Sequence, residues 1–181
     1  MSKLTALALS IAVLGGVWVF LALGPLAGSV LVWAGFLAWG CYFHTGGDNA
    51  ALQKTIVGMI YGSVIASVAL SLVVANPLGL PGAAGPAVYV AVTVFFLVIV
   101  AGQNLLSVVP ANVYGYAATV AYALQTPTAD GVGPLASLTA ANLSNPTLLI
   151  SLSVVFGAVF GLLSGKVAGM LSGKVAALPA K

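Results

Sequence analysis

The side chains able to do chemistry are few, and they are scattered. The chain holds two acids, Asp48 and Asp130, one histidine, His44, one cysteine, Cys41, and five lysines, with no Arg or Glu among its 181 residues. No G-x-S-x-G, H-E-x-x-H or phosphate-loop pattern occurs, and Cys41 has no partner for a disulfide or a metal set. An enzyme is therefore not expected, and neither is a cofactor or a metal. His44, Asp48 and Lys54 share one loop and the helix start that follows it. They read as an acid–base pair or a gate, or as a solvated loop in which Asp48 or Asn49 caps the next helix.

A second group is polar but uncharged. Gln103, Asn104, Asn112, Tyr114 and Tyr116 cluster in one stretch, and Trp33 and Trp39 occupy a comparable place earlier in the chain. Asn112 sits inside an apolar run, where its amide needs partners. Pro110 has no N–H, so the carbonyl of Leu106 is left without a helical donor and can face a cavity. Amides, phenols and a freed carbonyl suit a small neutral polar solute. The same amide would equally serve as an interhelical hydrogen bond.

These groups must be positioned by membrane helices. Apolar residues make up 61% of the chain and charged residues 4%, against roughly 25% in soluble domains. Six runs approach the ~20 residues needed to cross a ~30 Å hydrocarbon layer: Leu4–Leu23, Leu26–Phe43, Thr55–Ala75, Pro86–Ala101, Leu105–Leu124 and Thr147–Met170. The expected fold is all-α, one polytopic transmembrane domain of six helices over residues 1–181. The first run is too long for a signal-peptide core and reads as a retained helix. With the N-terminus inside, Lys3, Lys54, Lys166, Lys174 and Lys181 all fall on the cytoplasmic side, and Asp130 falls outside. Both termini are thus expected in the cytoplasm. Scattered lysines make no basic patch, so nucleic acid is not an expected partner. Lys166 reads as a snorkelling anchor, and Trp18, Trp33 and Trp39 as part of an interfacial belt.

The halves resemble each other, as repeats over 1–78 and 79–178. At an offset of 77, Val32-Trp33-Ala34-Gly35-Phe36 falls on Val109-Pro110-Ala111-Asn112-Val113, and Val17-Trp18 on Val94-Phe95. At an offset of 95, Tyr61-Gly62-Ser63-Val64 falls on Phe156-Gly157-Ala158-Val159, and Gly58 on Ser153. Each half would carry three spans, so the two would run in opposite senses, as in many transporter folds. Gly157, Gly161, Gly165 and Gly169 recur every fourth residue in the sixth span, and Gly58 and Gly62 in the third. Such spacing lets backbones approach closely, and the third span is the expected neighbour of the sixth. The stretch Pro134–Leu143 is too short to span and reads as a re-entrant or surface helix.

Val109-Pro110-Ala111, Gly115-Tyr116-Ala117, Leu138-Thr139-Ala140-Ala141-Asn142-Leu143-Ser144-Asn145-Pro146 and Leu163-Ser164-Gly165-Lys166 resemble a family of small bacterial inner-membrane proteins classed as a domain of unknown function. The resemblance implies that location and no activity. The leading expectation is a channel or facilitator for a solute such as urea, ammonia, a short amide or a polyol. A structural or accessory subunit of a membrane complex is the alternative, and an ion-coupled secondary transporter the third. Lipid is the expected surroundings, and homo-oligomerisation fits all three.

Overall fold

The computed structural model describes residues 1–126 and 133–173. Asp130, Lys174 and Lys181, and the expectations placed on them, lie outside the described residues. The described residues form six α-helices and no strand: α1 (Lys3–Leu23), α2 (Val32–His44), α3 (Asn49–Ala75), α4 (Ala84–Ile99), α5 (Val109–Gln125) and α6 (Pro146–Ser172). Three 3-10 turns, Val100–Gly102, Asn104–Leu106 and Pro134–Ser137, lie in the connections. The fold is all-α. Four segments, Lys3–Leu23, Asn49–Ala75, Ala84–Gly102 and Pro146–Ser172, are long and apolar enough to cross a membrane.

Helix starts follow from their caps. Asp48 accepts the Ala51 N–H through Oδ1 at 2.7 Å and opens α3, so the acid of this loop is a cap. Asn145 accepts the Thr147 N–H at 2.8 Å, with Pro146 at the first helical position of α6. The Asn145 amide also donates to the carbonyls of Leu138 and Ala140, at 2.8 and 3.0 Å. The expected helix over Pro134–Leu143 is instead a single 3-10 turn followed by turns, which Asn145 ties down from below.

Two helices begin later than hydropathy suggests. The second apolar run starts at Leu26, yet α2 starts at Val32. Pro25 lacks an N–H, Gly28 takes a left-handed φ of +78°, and Leu31 is extended. The fifth run starts at Leu105, yet α5 starts at Val109 after a 3-10 turn and a non-helical Val108. At 1.5 Å per residue, α2 and α5 are about 20 and 26 Å long, short of a ~30 Å core.

The chain divides into two compact units. One comprises Met1–Ile56 and Leu152–Lys181, that is α1, α2, the first turns of α3 and most of α6. Its core is aromatic: Trp18, Trp39 and Phe160 pack with Ala22 and Val30. The Trp18 ring lies 5.5 Å from Phe160 and 6.1 Å from Phe156. Trp18 and Trp39 are therefore core residues, not members of a surface belt; only Trp33 is largely exposed. The reason is that Gly35 leaves room for the Trp18 ring, which a Cβ there would meet at 2.5 Å. The other unit, Val57–Ser151, holds most of α3, α4, α5 and the first turn of α6. Its core centres on Ala66, Ala69, Leu97 and Tyr116. The units do not follow the sequence halves: the third helix of each half sits mainly with the first two of the other.

Candidate functional site

Side chains bond backbone groups around the starts of α2 and α5. In the first unit, Trp18 Nε1 donates to the carbonyl of Val32 at 3.0 Å, and the Leu31 N–H donates to Ser153 Oγ at 2.8 Å. In the second unit, Asn112 Nδ2 donates to the carbonyls of Leu106 and Leu97, at 3.1 and 3.3 Å. The freed carbonyl and the buried amide thus partner each other. Asn112 Oδ1 has no hydrogen-bond donor among the described residues. It faces Gly58, where a Cβ would stand 2.7 Å away, so a glycine Cα–H is what it meets. Trp18 and Ser153 escaped the sequence reading as site residues. The one available signal was the register that aligned Ser153 with Gly58.

Glycines set how closely these helices approach. A Cβ on Gly62 would overlap the Asn112 carbonyl oxygen and stand 2.7 Å from the Tyr116 nitrogen. A Cβ on Gly115 would overlap the Met59 carbonyl. In the other unit, a Cβ on Gly157 would overlap the Gly35 carbonyl oxygen, and one on Gly161 would stand 2.8 Å from the Tyr42 ring. Gly165 is looser, with its nearest ring atom 3.7 Å from such a Cβ, and Gly169 is buried. The close neighbour of the α6 glycines is therefore α2, and that of the α3 glycines is α5. Spacing foretells a close approach; the identity of the partner depends on which surface offers an equally small residue, here Gly35 and Gly115.

The polar residues singled out in the sequence are distributed between the two units. Asn112 and Tyr116 lie one turn apart on α5, both buried, and both meet Gly62 through their backbones. Tyr116 OH bonds Thr93 Oγ1 at 3.3 Å, and Thr119 Oγ1 donates to Ser63 Oγ at 2.8 Å. Gln103, Asn104 and Tyr114 are exposed. In the first unit, Trp39 Nε1 donates to Ser164 Oγ at 3.0 Å, and Ser10 Oγ to the Ser164 carbonyl at 2.7 Å. His44 and Asp48 are exposed and Lys54 half-buried; Tyr42 OH donates to the Gly47 carbonyl across their loop. Among the described residues, no three His, Cys, Asp or Glu side chains come together as a metal site.

The second unit also carries a groove of about 580 Å³. Ser67, Ser71, Asn145 and Thr147 supply its polar atoms, and Val64, Val68, Leu72 and Leu148 its walls.

No match is found among curated proteins or among solved structures. Residues 8–169 match the model of a family described as a protein of unknown function (DUF1097). With nearly the whole of the described chain inside that match, the protein belongs to the DUF1097 family.

Proposed function

We propose that this chain spans the bacterial inner membrane six times as two three-helix repeats of opposite sense, with both termini in the cytoplasm, and passes a small neutral polar solute as a channel or facilitator. The observation that carries this reading is a correspondence between two short helices. α2 starts at Val32 and α5 at Val109, the same offset of 77 that aligns the two halves. Each follows an irregular, Gly- or Pro-interrupted segment within an apolar run. Short or interrupted spans at matching places in two halves mark solute sites in transporters built from inverted repeats. The packing supports the same register: Gly62 meets Asn112, and Gly157, at an offset of 95 from Gly62, meets Gly35, at an offset of 77 from Asn112.

A neutral solute is favoured because the six runs contain no acid, and Lys166 is exposed near the end of α6. A proton relay would need titratable groups in the spans. Sodium held by backbone carbonyls of the irregular segments stays a competing mode of coupling. Osmotic swelling of proteoliposomes in urea, acetamide and glycerol tests the proposal. Permeability above that of empty vesicles for at least one solute is expected; none for any would sink it.

The alternative is an accessory subunit of a membrane complex. It is favoured by polar side chains inside each unit that bond one another, as Ser63 with Thr119 and Trp39 with Ser164. Purification in mild detergent with a stoichiometric foreign chain would support it, whereas a homo-oligomer or a monomer alone fits the facilitator.

A further inference from the structure

We propose that the groove on the second unit is a binding site for a small uncharged solute that joins a short apolar body to an amide or hydroxyl group. The proposal rests on the membrane reading above and names the solute class. The groove's volume, about 580 Å³, lies within the range of small-molecule sites. Such sites combine mostly apolar walls with a few polar groups, as here. No ionisable side chain lines it, so a charged ligand would find no counter-charge.

The hydroxyls are graded in burial. Ser63, Ser67 and Ser71 recur every fourth residue, so they share one face of α3 and are neighbours from turn to turn. Ser63 is fully buried and bonds Thr119 and the Gly115 carbonyl. Ser67 is half-buried and bonds Thr147, which also lines the groove. Ser71 is exposed, and its hydroxyl makes no hydrogen bond among the described residues. Helical serines in apolar surroundings usually bond a carbonyl one turn back. Asn145 is no substitute partner, because its amide nitrogen and oxygen are committed to Leu138, Ala140 and Thr147. A hydroxyl at the mouth of an apolar groove therefore keeps one donor and its lone pairs for a ligand. A lipid chain would leave that capacity unused. An amide or alcohol would use it while its alkyl part lies against Val68 and Leu72.

The test uses the full chain in proteoliposomes, with Cys41→Ala removing the native thiol and Val68→Cys as reporter. The expected result is modification by a water-soluble methanethiosulfonate, slowed by butyramide and not by butyrate. Adding Ser71→Ala should weaken butyramide protection about tenfold, the size of one lost hydrogen bond. Absence of modification, modification that butyramide does not slow, or a disulfide joining two copies through the reporter would overturn the site. The last would make the groove a seam between copies. Butyramide protection in a protein that conducts nothing would keep the site and remove the facilitator; conduction without protection would do the reverse.

Discussion

Asn112 is fully buried in the second unit and bonds two backbone carbonyls. One amide nitrogen closes the gap between the end of α4, at Leu97, and the turn ahead of α5, at Leu106. Both carbonyls would otherwise be buried without a donor, each at a cost of about 1–3 kcal/mol. Asn112→Ala should therefore lower stability by about 2 kcal/mol, read as a drop in melting temperature in detergent. Asn112→Asp should be worse, because it replaces the donor by an acceptor facing two carbonyls, and its charge would be fully buried. An Asn112→Ala protein that melts with the parent would remove this role. In the first unit, Trp18 ties α1 to the start of α2 with one indole N–H to the Val32 carbonyl. Trp18→Phe keeps the ring stack on Phe156 and Phe160 but loses the donor, so a smaller loss of about 1 kcal/mol is expected by the same measurement.

At the scale of the helix, the glycines rank themselves by what opposes them. Gly62, Gly115 and Gly157 face backbone atoms that cannot turn aside, whereas Gly161 faces an aromatic ring and Gly165 only ordinary contact. Alanine at Gly62, Gly115 or Gly157 should abolish most folded yield after detergent extraction. Gly161→Ala should cost stability of about 1–3 kcal/mol through overpacking, and Gly165→Ala should be tolerated. A uniform response across all five would mean that spacing alone, not the opposing atoms, governs the seam. Spacing was the part legible in sequence. It marked the glycines and, with hydropathy, the four long apolar helices; for the loop it left Asp48 and Asn49 as alternative caps beside a gate, and Asp48 takes the cap. It could not identify the opposing helix, because a small residue every fourth position says only that some backbone comes near. Nor could it locate the starts of α2 and α5. Leu26–Leu31 and Leu105–Val108 are as apolar as a helix, and the break lies in backbone angles at Gly28 and Val108 that hydropathy does not register. The groove was illegible for a related reason: Ser67 and Thr147 are 80 positions apart, and only the fold pairs them.

At the scale of the whole chain, the decisive fact is that compact units and sequence halves do not coincide. The first unit takes α1 and α2 from one half and most of α6 from the other; the second takes α4 and α5 with most of α3. Residues 1–78 alone would leave Trp18 and Trp39 without Phe156 and Phe160, and Gly35 without Gly157. Residues 79–181 alone would leave Asn112 and Gly115 without Gly58, Met59 and Gly62. Neither half holds a complete core, and without hydrophobic drive in lipid the missing close packing has no replacement. Expressed separately, each half should be degraded or extracted as aggregate. Co-expressed, the two halves should assemble, because the only covalent link cut is the turn between α3 and α4, where Asn76 and Gly79 take positive φ. The measurement is co-purification through a tag on one half, followed by size-exclusion chromatography beside the uncut chain. Two halves that each behave as folded, monodisperse proteins without the other would show that the helix exchange contributes nothing to stability.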